Sequence, residues 1–493
     1  MGITIDHKSL ISSFFEENGL SKHHINSYNE LIEHGLQSVI DEVGAIKPEL
    51  ENFEIKLGKI TIQDPIIKEA DGSTRKIFPQ EARLRGRTYD APILLEMTPI
   101  ENGEPQETLN VVIGKLPIML QSKKCPLSGL SEDETIAAGE DPKDPGGYFI
   151  INGTERVLVL IEDLASNRIL VDKDKASGSN IAKLFSARGW YRRPCTLELK
   201  KDSSLWLAFP PLAKPIPAFI VFRALGLKTD KEIIDVISDK EKINDRLYVP
   251  IEQGAEIATT TEALDFIGKR VAVGQQKDAR VERAQHIIDR YFLPHVGMEP
   301  ADRLAKAYFL GRMAEKLLMF DLGEIPQDDK DHYANKRLRL AGELMEDVFR
   351  VAFRGLVANA IYSLEKAARR DRKVSVRIAI RASLLSERIG HAMATGAWVG
   401  GRQGVSQHLD RLNYLSTISH LRRVRSLLSR TQPHFEARDL HATHWGKICP
   451  NETPEGSNIG LVKNLALLTD ISTVLDPEPV ESLVYELGVE KGW

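Results

Sequence analysis

Residues 401 to 450 hold eight Arg/Lys (Arg402, Arg411, Arg422, Arg423, Arg425, Arg430, Arg438 and Lys447) against three acids (Asp410, Glu436 and Asp439). With a formal net charge of -4 for the whole chain, this excess of five leaves -9 for the rest. A cation-rich island on an acidic body suits a polyanion held at one place, because neutralising phosphates and releasing their counterions drives nucleic-acid binding. The same stretch carries five of the thirteen histidines (His408, His420, His434, His441 and His444) and Trp445. These supply hydrogen-bonding edges and stacking faces beside the charges. A solvated basic face accounts for the charge equally well.

A second group of residues tips that balance. In Cys449-Pro450-Asn451-Glu452-Thr453-Pro454-Glu455-Gly456, two prolines and a glycine bracket two carboxylates. Such a loop is stiff, and it can aim Glu455 with little entropy lost on binding. Two other arrangements invite metal chemistry. Nucleotide polymerisation by two metals needs carboxylates clustered round ions about 4 Å apart, and the acidic groups available are Asp172 with Asp174, and Asp328, Asp329 and Asp331. They read more simply as a loop and a helix start. His441, His444 and Cys449 lack a nearby fourth ligand, so structural histidines beside Trp445 are expected and no zinc.

The elements that must position these residues follow from periodicity. Leu409, Leu412, Leu415, Ile418, Leu421, Val424 and Leu427 recur every three residues, which drifts round one straight helix and predicts two shorter ones. Ser416 or Thr417 would cap the second, and Arg422, Arg423, Arg425 and Arg430 would flank its buried seam. Upstream, residues up to about 45 read as helices, and Phe53–Leu57, Ile60–Ile62 and Leu109–Ile113 as strands. Glu81–Arg87 reads as a solvated basic turn. Asp141–Gly147 is a tight turn into a strand, and Asn152-Gly153 a hairpin. The small polar run Lys173–Ser179 marks a boundary. Beyond it come strands at 196–199 and 205–209 and helices at 218–225, 229–240 and 276–291. A long helix is predicted over Asn335–Arg370, with Asp328–Asp331 at its N-terminus and Arg369, Arg370, Arg372 and Lys373 at its C-terminus, both ends complementing the helix dipole.

Several stretches together resemble a known family. GVSQ, ISHLRR, LHATHWGKICPNETPEG and NIGLVKNLAL, preceded in order by EDPKDPGGYFIINGTERVLV (140–159) and DDKDHYANKRLRLAG (328–342), are similar to the second-largest subunit of multisubunit DNA-directed RNA polymerases. The likeness runs from about residue 20 to the end. It is nearest the archaeal form, and the length matches the N-terminal part (B'' type) of the variant split into two polypeptides. The resemblance implies a mixed α/β multidomain (α+β) fold. Its expected divisions are a protrusion at 1–180 and 341–385, a lobe at 181–340, a fork at 386–470 and the start of an external domain at 471–493. It implies an enzyme complex, a nucleotidyltransferase, in which this chain lines the DNA cleft and the fork lies beside the active centre. Gln407, Arg411, His420 and Arg423 match the segment close to the transcript, and residues from about Val424 to Arg438, with Arg425 and Arg430, the downstream edge of the bubble. Arg402 and Arg422 join them as nucleic-acid-binding candidates. Glu455 matches a carboxylate near the incoming nucleotide. No catalytic residue is expected here, since the family holds Mg²⁺ on aspartates of the largest subunit. Expected partners are the C-terminal half of the split subunit, the largest and other subunits, DNA template, RNA transcript and nucleoside triphosphates. The rival is a non-catalytic RNA-binding scaffold.

Length and composition set the frame. At 493 residues there is room for about three domains at roughly 150 residues each. With 42% hydrophobic and 28% charged residues the chain has ample core. Cys125, Cys195 and Cys449 are far apart, which argues against a disulfide framework. The start lacks a secretory pattern and no apolar run could span a bilayer, so the cytoplasm is the expected compartment and no membrane contact is expected.

Overall fold

The computed structural model describes residues 6–50, 52–69, 71–174, 177–188, 191–370, 375–472 and 478–489. The chain divides into two compact units, Met1–Asp163 with Leu338–Asp476, and Leu164–Arg337 with Pro477–Trp493.

The first unit begins with helices, among them α1 (Lys22–Glu30), which buries His23, His24, Ser27 and Tyr28. A sheet follows, built from β1 (Phe53–Ile62), β2 (Asp90–Glu101) and β3 (Leu109–Pro117). β2 lies between the other two and pairs antiparallel with both. Its alternate residues Ala91, Ile93, Leu95 and Met97 are fully buried, the signature of a strand with one face on a core. Ahead of β2 the expected solvated turn at Glu81–Arg87 is instead the short helix α2 (Pro79–Leu84), opened by a proline at its first position. β4 (Phe149–Ile151) and β5 (Thr154–Leu158) form the expected hairpin. Asn152 and Gly153 both take positive φ, 50° and 77°, as a two-residue turn of this hand demands. β6 (Leu160–Leu164) comes next.

The second unit contains a five-stranded antiparallel meander, in which β7 (Asn180–Arg188), β8 (Tyr191–Leu199) and β9 (Leu205–Ala208) stand between Leu170–Lys173 and Ile216–Pro217. Its helices include those expected near 218, 230 and 277, of which the last is α3 (Lys277–Tyr291). A further helix, α4 (Arg303–Asp321), buries Leu310, Met313, Ala314, Leu317 and Leu318. The buried ammonium of Lys306 donates to the carbonyls of Ile288 and Asp289, satisfying the C-terminal end of α3.

Returning to the first unit, the long helix is α5 (Ala341–Ala368), which starts six residues later than expected. The Asp328–Asp331 group does not cap it. Asp328 accepts from Lys316 (2.7 Å) and from the Val171 amide (2.7 Å), and Asp331 accepts from Lys336 (3.0 Å). Opposite charges in the second unit therefore claim these carboxylates before a helix dipole can. Leu338 lies in a strand, while Leu344, Met345, Val348, Ala352 and Leu356 of the helix form a buried stripe. Of the expected C-terminal cations, Arg369 and Arg370 are exposed, and Arg372 and Lys373 lie outside the described residues. A Cβ on Gly342 would sit 2.0 Å from the Ser27 carbonyl oxygen, so α1 and α5 touch backbone to backbone. α6 (Val376–Ala379) and α7 (Ala382–Thr395) follow. α7 is held to β3 by the Lys115 amide donating to Ser386 Oγ (2.9 Å).

Downstream of α7 come β10 (Ser406–His408), α8 (Tyr414–Leu421), β11 (Arg423–Ser426) and β12 (Val462–Asn464). Here the expectation of two helices is wrong. Only α8 is helical, Asn413 caps it in a reciprocal pair with Ser416, and of the arginines beyond Leu421 Arg423 and Arg425 lie on a strand, Arg422 ends the helix and Arg430 sits in a turn. Leu412 and Leu415 are 85% and 75% exposed, so the repeat of three marks no buried seam. The final segment contains a helix at Glu478–Glu486, while 473–477 and 490–493 lie outside the described residues. Among the described residues no helix is long and apolar enough to cross a membrane.

Candidate nucleic-acid interface

Chain segments far apart in sequence hold this region together. β10 pairs antiparallel with β5, and β11 runs parallel to β6, with Leu160 opposite Val424 and Glu162 opposite Ser426. β12 then closes on the other edge of β11. Across this sheet the buried Lys463 ammonium meets the buried Glu162 carboxylate at 2.8 Å. An ion pair withdrawn from water this completely fixes the register, because either partner left alone would be a bare buried charge.

The arginines singled out by sequence separate into two groups on this frame. Arg411 donates to Glu155 (2.6 and 3.1 Å) and Asp144 (2.8 Å) and lies over the Tyr148 ring, 4.9 Å from its centroid. Arg83 of α2 shares that carboxylate, donating to Glu155 (2.7 Å), Glu140 (2.7 and 2.8 Å) and Tyr148 Oη (2.8 Å), and Tyr148 in turn donates to Asp144 (2.9 Å). Burial raises the Glu155 carboxyl, but Arg411 and Arg83 outweigh it and hold the group below its ordinary pKa. Two guanidinium groups against three carboxylates leave no surplus positive charge. Arg402 is likewise paired, 3.6 Å from Asp163 and 3.5 Å from Asp347. Arg422 is buried and donates to the carbonyls of Leu20 (3.1 Å), Ala466 (2.8 Å) and Leu467 (3.1 Å). Arg425 donates to the carbonyls of Gln403 (2.8 Å) and Gly404 (3.1 Å). A Cβ on Gly404 would stand 2.4 Å from that guanidinium, which explains the glycine. Arg423 and Arg430 are different: among the described residues they make no side-chain hydrogen bond or ion pair, and Arg430 is exposed.

Gln407 and His420 meet. The Asp410 amide donates to His420 Nδ1 (3.1 Å), so the ring proton sits on Nε2 and is donated to Gln407 Oε1 (3.1 Å). Gln407 Nε2 then donates to the Gly404 carbonyl (3.0 Å). Burial, helped by the nearby Arg423 charge, pushes His420 down to about 4, so the ring is neutral near pH 7.

The Pro-bracketed loop is tied at both ends. The Cys449 amide donates to Asn464 O (2.8 Å), Thr453 Oγ1 donates to Val462 O (2.9 Å), and Glu452 accepts from the Ser419 hydroxyl. Glu455 is exposed at the head of the turn Gly456–Asn458, with no hydrogen bond or ion pair among the described residues. His441 Nδ1 accepts from the Thr443 amide (3.2 Å) and hydroxyl (2.6 Å), and Trp445 is 92% exposed. Among the described residues no three His, Cys, Asp or Glu side chains are grouped to hold a metal. Sequence reading passed over two features. Arg438 clamps the loop by donating to the carbonyls of Pro433, Ser457 and Ile459. Asp144, read only as part of a tight turn, and Glu155, read only beside the hairpin, form the socket for Arg411; their acidic character opposite a basic segment was the available signal.

Known proteins share this arrangement of sequence. A family model described as RNA polymerase beta subunit matches residues 19–387, and one described as RNA polymerase Rpb2, domain 3, matches 407–471. DNA-directed RNA polymerase subunit Rpo2 of Saccharolobus solfataricus is 50% identical over 491 residues, which is 99% of this chain and 44% of that protein. Subunit Rpo2N of Methanococcus vannielii is 49% identical over 497 residues, 99% of this chain and 100% of that protein. Rpo2N of Methanocaldococcus jannaschii is 50% identical, covering 98% and 99%. The chain thus spans less than half the length of the Rpo2 relatives and nearly all of the Rpo2N ones. It belongs to the RNA polymerase beta subunit family.

Proposed function

We propose that this chain is the N-terminal half of a split second-largest subunit of an archaeal DNA-directed RNA polymerase, lining one side of the DNA cleft and placing its fork against the RNA–DNA hybrid. On this reading 1–180 and 341–385 form the protrusion, 181–340 the lobe, 386–470 the fork and 471–493 the start of an external domain. The C-terminal half, the largest subunit and the remaining subunits complete the enzyme, which works on DNA template, RNA transcript and nucleoside triphosphates. The carboxylates described here do not fit catalytic Mg²⁺, since Asp172, Asp328 and Asp331 are engaged by Lys330, Lys316 and Lys336. The family resemblance assigns that metal to the largest subunit.

One observation carries the reading. The fork spends Arg402, Arg411, Arg422 and Arg425 on its own construction and leaves Arg423, Arg430 and Glu455 without partners among the described residues. Arg402, Arg411, Arg422, Gln407 and His420 then act on nucleic acid by holding the backbone that presents the others, and a planar guanidinium such as that of Arg423 can grip a phosphate with two hydrogen bonds. In the reconstituted polymerase, Arg423→Ala should shorten the lifetime of elongation complexes and make it less salt-dependent, losing about one phosphate contact from the slope. An unchanged lifetime and slope would remove Arg423 from the interface. Tight RNA binding by the isolated chain, without partner subunits, would favour a scaffold role instead.

A further inference from the structure

Arg411 is held on one edge of its guanidinium and open on the other. Its Nε and Nη2 donate to Glu155 and Asp144, while Nη1 makes no bond among the described residues. The side chain is 39% exposed, against 17% for Glu155 and 15% for Asp144, so the guanidinium lies outermost and covers the carboxylates. Those carboxylates are fixed without it. Asp144 Oδ1 accepts from the Gly146 amide (2.9 Å) and Oδ2 from the Tyr148 hydroxyl (2.9 Å). Glu155 accepts from Arg83 Nε (2.7 Å), and its carbonyl takes the Leu409 amide (3.0 Å), which extends the pairing of β5 with β10 toward Arg411. Five side chains thereby close a ring: Arg83 donates to Tyr148, Tyr148 to Asp144, Arg411 to Asp144 and Glu155, and Arg83 to Glu155 again. Its two cations and two carboxylates cancel.

Folding alone gives little reason for an arginine at this position. An ion pair on so exposed a side chain contributes little to stability, and Arg83 already compensates Glu155. What the ring does change is the charge that the segment 407–411 presents to an anion. Asp410, next to Arg411, is held below its ordinary pKa by the Leu412 amide, by Ser416 and, more weakly, by charges that include Arg423, so Arg423 is close by. Arg423 has no partner among the described residues and presents a full positive charge, whereas that of Arg411 is cancelled. A phosphate would compete with Glu155 for the same guanidinium, because both anions take it by paired hydrogen bonds.

We propose that Glu155 and Asp144 are positioning residues that act through Arg411: by neutralising its guanidinium they keep it from closing on a phosphodiester, so that a strand held at Arg423 slides past Arg411. This role rests on the reading of the fork as lying against the RNA–DNA hybrid. A strand that had to leave a second paired grip at every nucleotide added would advance more slowly.

The test uses the reconstituted polymerase carrying E155Q on preassembled elongation complexes, with lifetime followed across a KCl series and elongation rate measured at saturating nucleotides. With that carboxylate charge gone, Arg411 gains a phosphate. The slope of log lifetime against log[salt] should steepen by roughly 0.7–0.9, so that lifetime falls about threefold further than in the wild type between roughly 50 and 200 mM KCl, and elongation slows. R411A/E155Q should return both readouts to those of R411A. A methylphosphonate, a linkage without the phosphate charge, placed in the transcript or in the template should cancel the gain in whichever strand supplies the contact. A wild-type slope in E155Q overturns the role, as does a gain that survives in R411A/E155Q or with both strands neutralised. So does a lifetime shortened equally at every salt concentration with a lower melting temperature, which is the mark of a mere scaffold. If E155Q does not assemble, D144N, which leaves Arg83 on Glu155, carries the same expectation and the same refutation. R423A with a shallower slope beside E155Q with the wild-type slope sinks this role alone. Wild-type slopes in both variants sink the proposed function with it.

Discussion

Replacing Arg422 with Met removes a buried cation that draws three separate carbonyls together, those of Leu20, Ala466 and Leu467, at 2.8–3.1 Å. Each such charge-assisted hydrogen bond is worth roughly 1.5–3 kcal/mol, and the cost of keeping a guanidinium 6% exposed offsets part of the sum. Leaving the Leu20 and Leu467 carbonyls short of a donor, while that of Ala466 keeps the Thr469 amide, puts the net loss at about 3–5 kcal/mol. A further effect comes from the neighbours. Burial, and with it the Arg422 charge, holds His23 and His24 below their ordinary pKa, so both rings should protonate more easily once the cation is gone. The assay is thermal and denaturant unfolding of the first unit within the intact chain, at pH 7.5 and pH 5. R422M should melt lower by roughly 10 °C at pH 7.5, and the difference should shrink at pH 5. Its nucleic-acid binding, measured well below the melting temperature, should keep the wild-type salt slope. A variant as stable as wild type but with a shallower slope would refute this reasoning, because it would mean that Arg422 leaves its carbonyls to grip phosphate.

Two more outcomes are expected from burial. Burial holds His24 and His420 at about 4, whereas an unfolded histidine protonates near 6.5. Between those values the unfolded chain binds more protons, so stability falls as the pH drops through this window, by up to about 3 kcal/mol for each ring; equilibrium unfolding at pH 7 and pH 4.5 would measure it, and a flat profile would contradict the neutral buried rings. Gly342→Ala drives a methyl group into the Ser27 carbonyl at 2.0 Å, and prising α1 from α5 should cost roughly 3 kcal/mol of stability, read from the denaturation midpoint.

Local signals in the sequence were strong where the chain speaks to its neighbours. The Asn152-Gly153 hairpin, the alternation of Phe53–Leu57 and the buried stripe of α5 all arise from periodicity or turn chemistry. β2 escaped notice although it is the middle strand, because Pro92 and Leu94 fall between the buried Ala91, Ile93 and Leu95 and turn the start of its alternation into an unbroken apolar run. The fork misled for another reason. Its leucines recur as they would in a helix, yet β11 is claimed by β6, a partner more than 250 residues away that no local window contains. Charge was visible in composition, but its allocation was not. Whether an arginine faces a phosphate or a carboxylate depends on Asp144 and Glu155 arriving from the preceding turn and from the hairpin.

The parallel pairing of β6 with β11 has a consequence for how the chain comes off the ribosome. The histidines of α1 bind the carbonyl of Leu421, 397 residues later, and Leu20 waits 402 residues for Arg422. Synthesis at about 5–20 residues per second means that α1 waits roughly 20–80 s for the Leu421 carbonyl and the Arg422 guanidinium that close over its histidines and its entry.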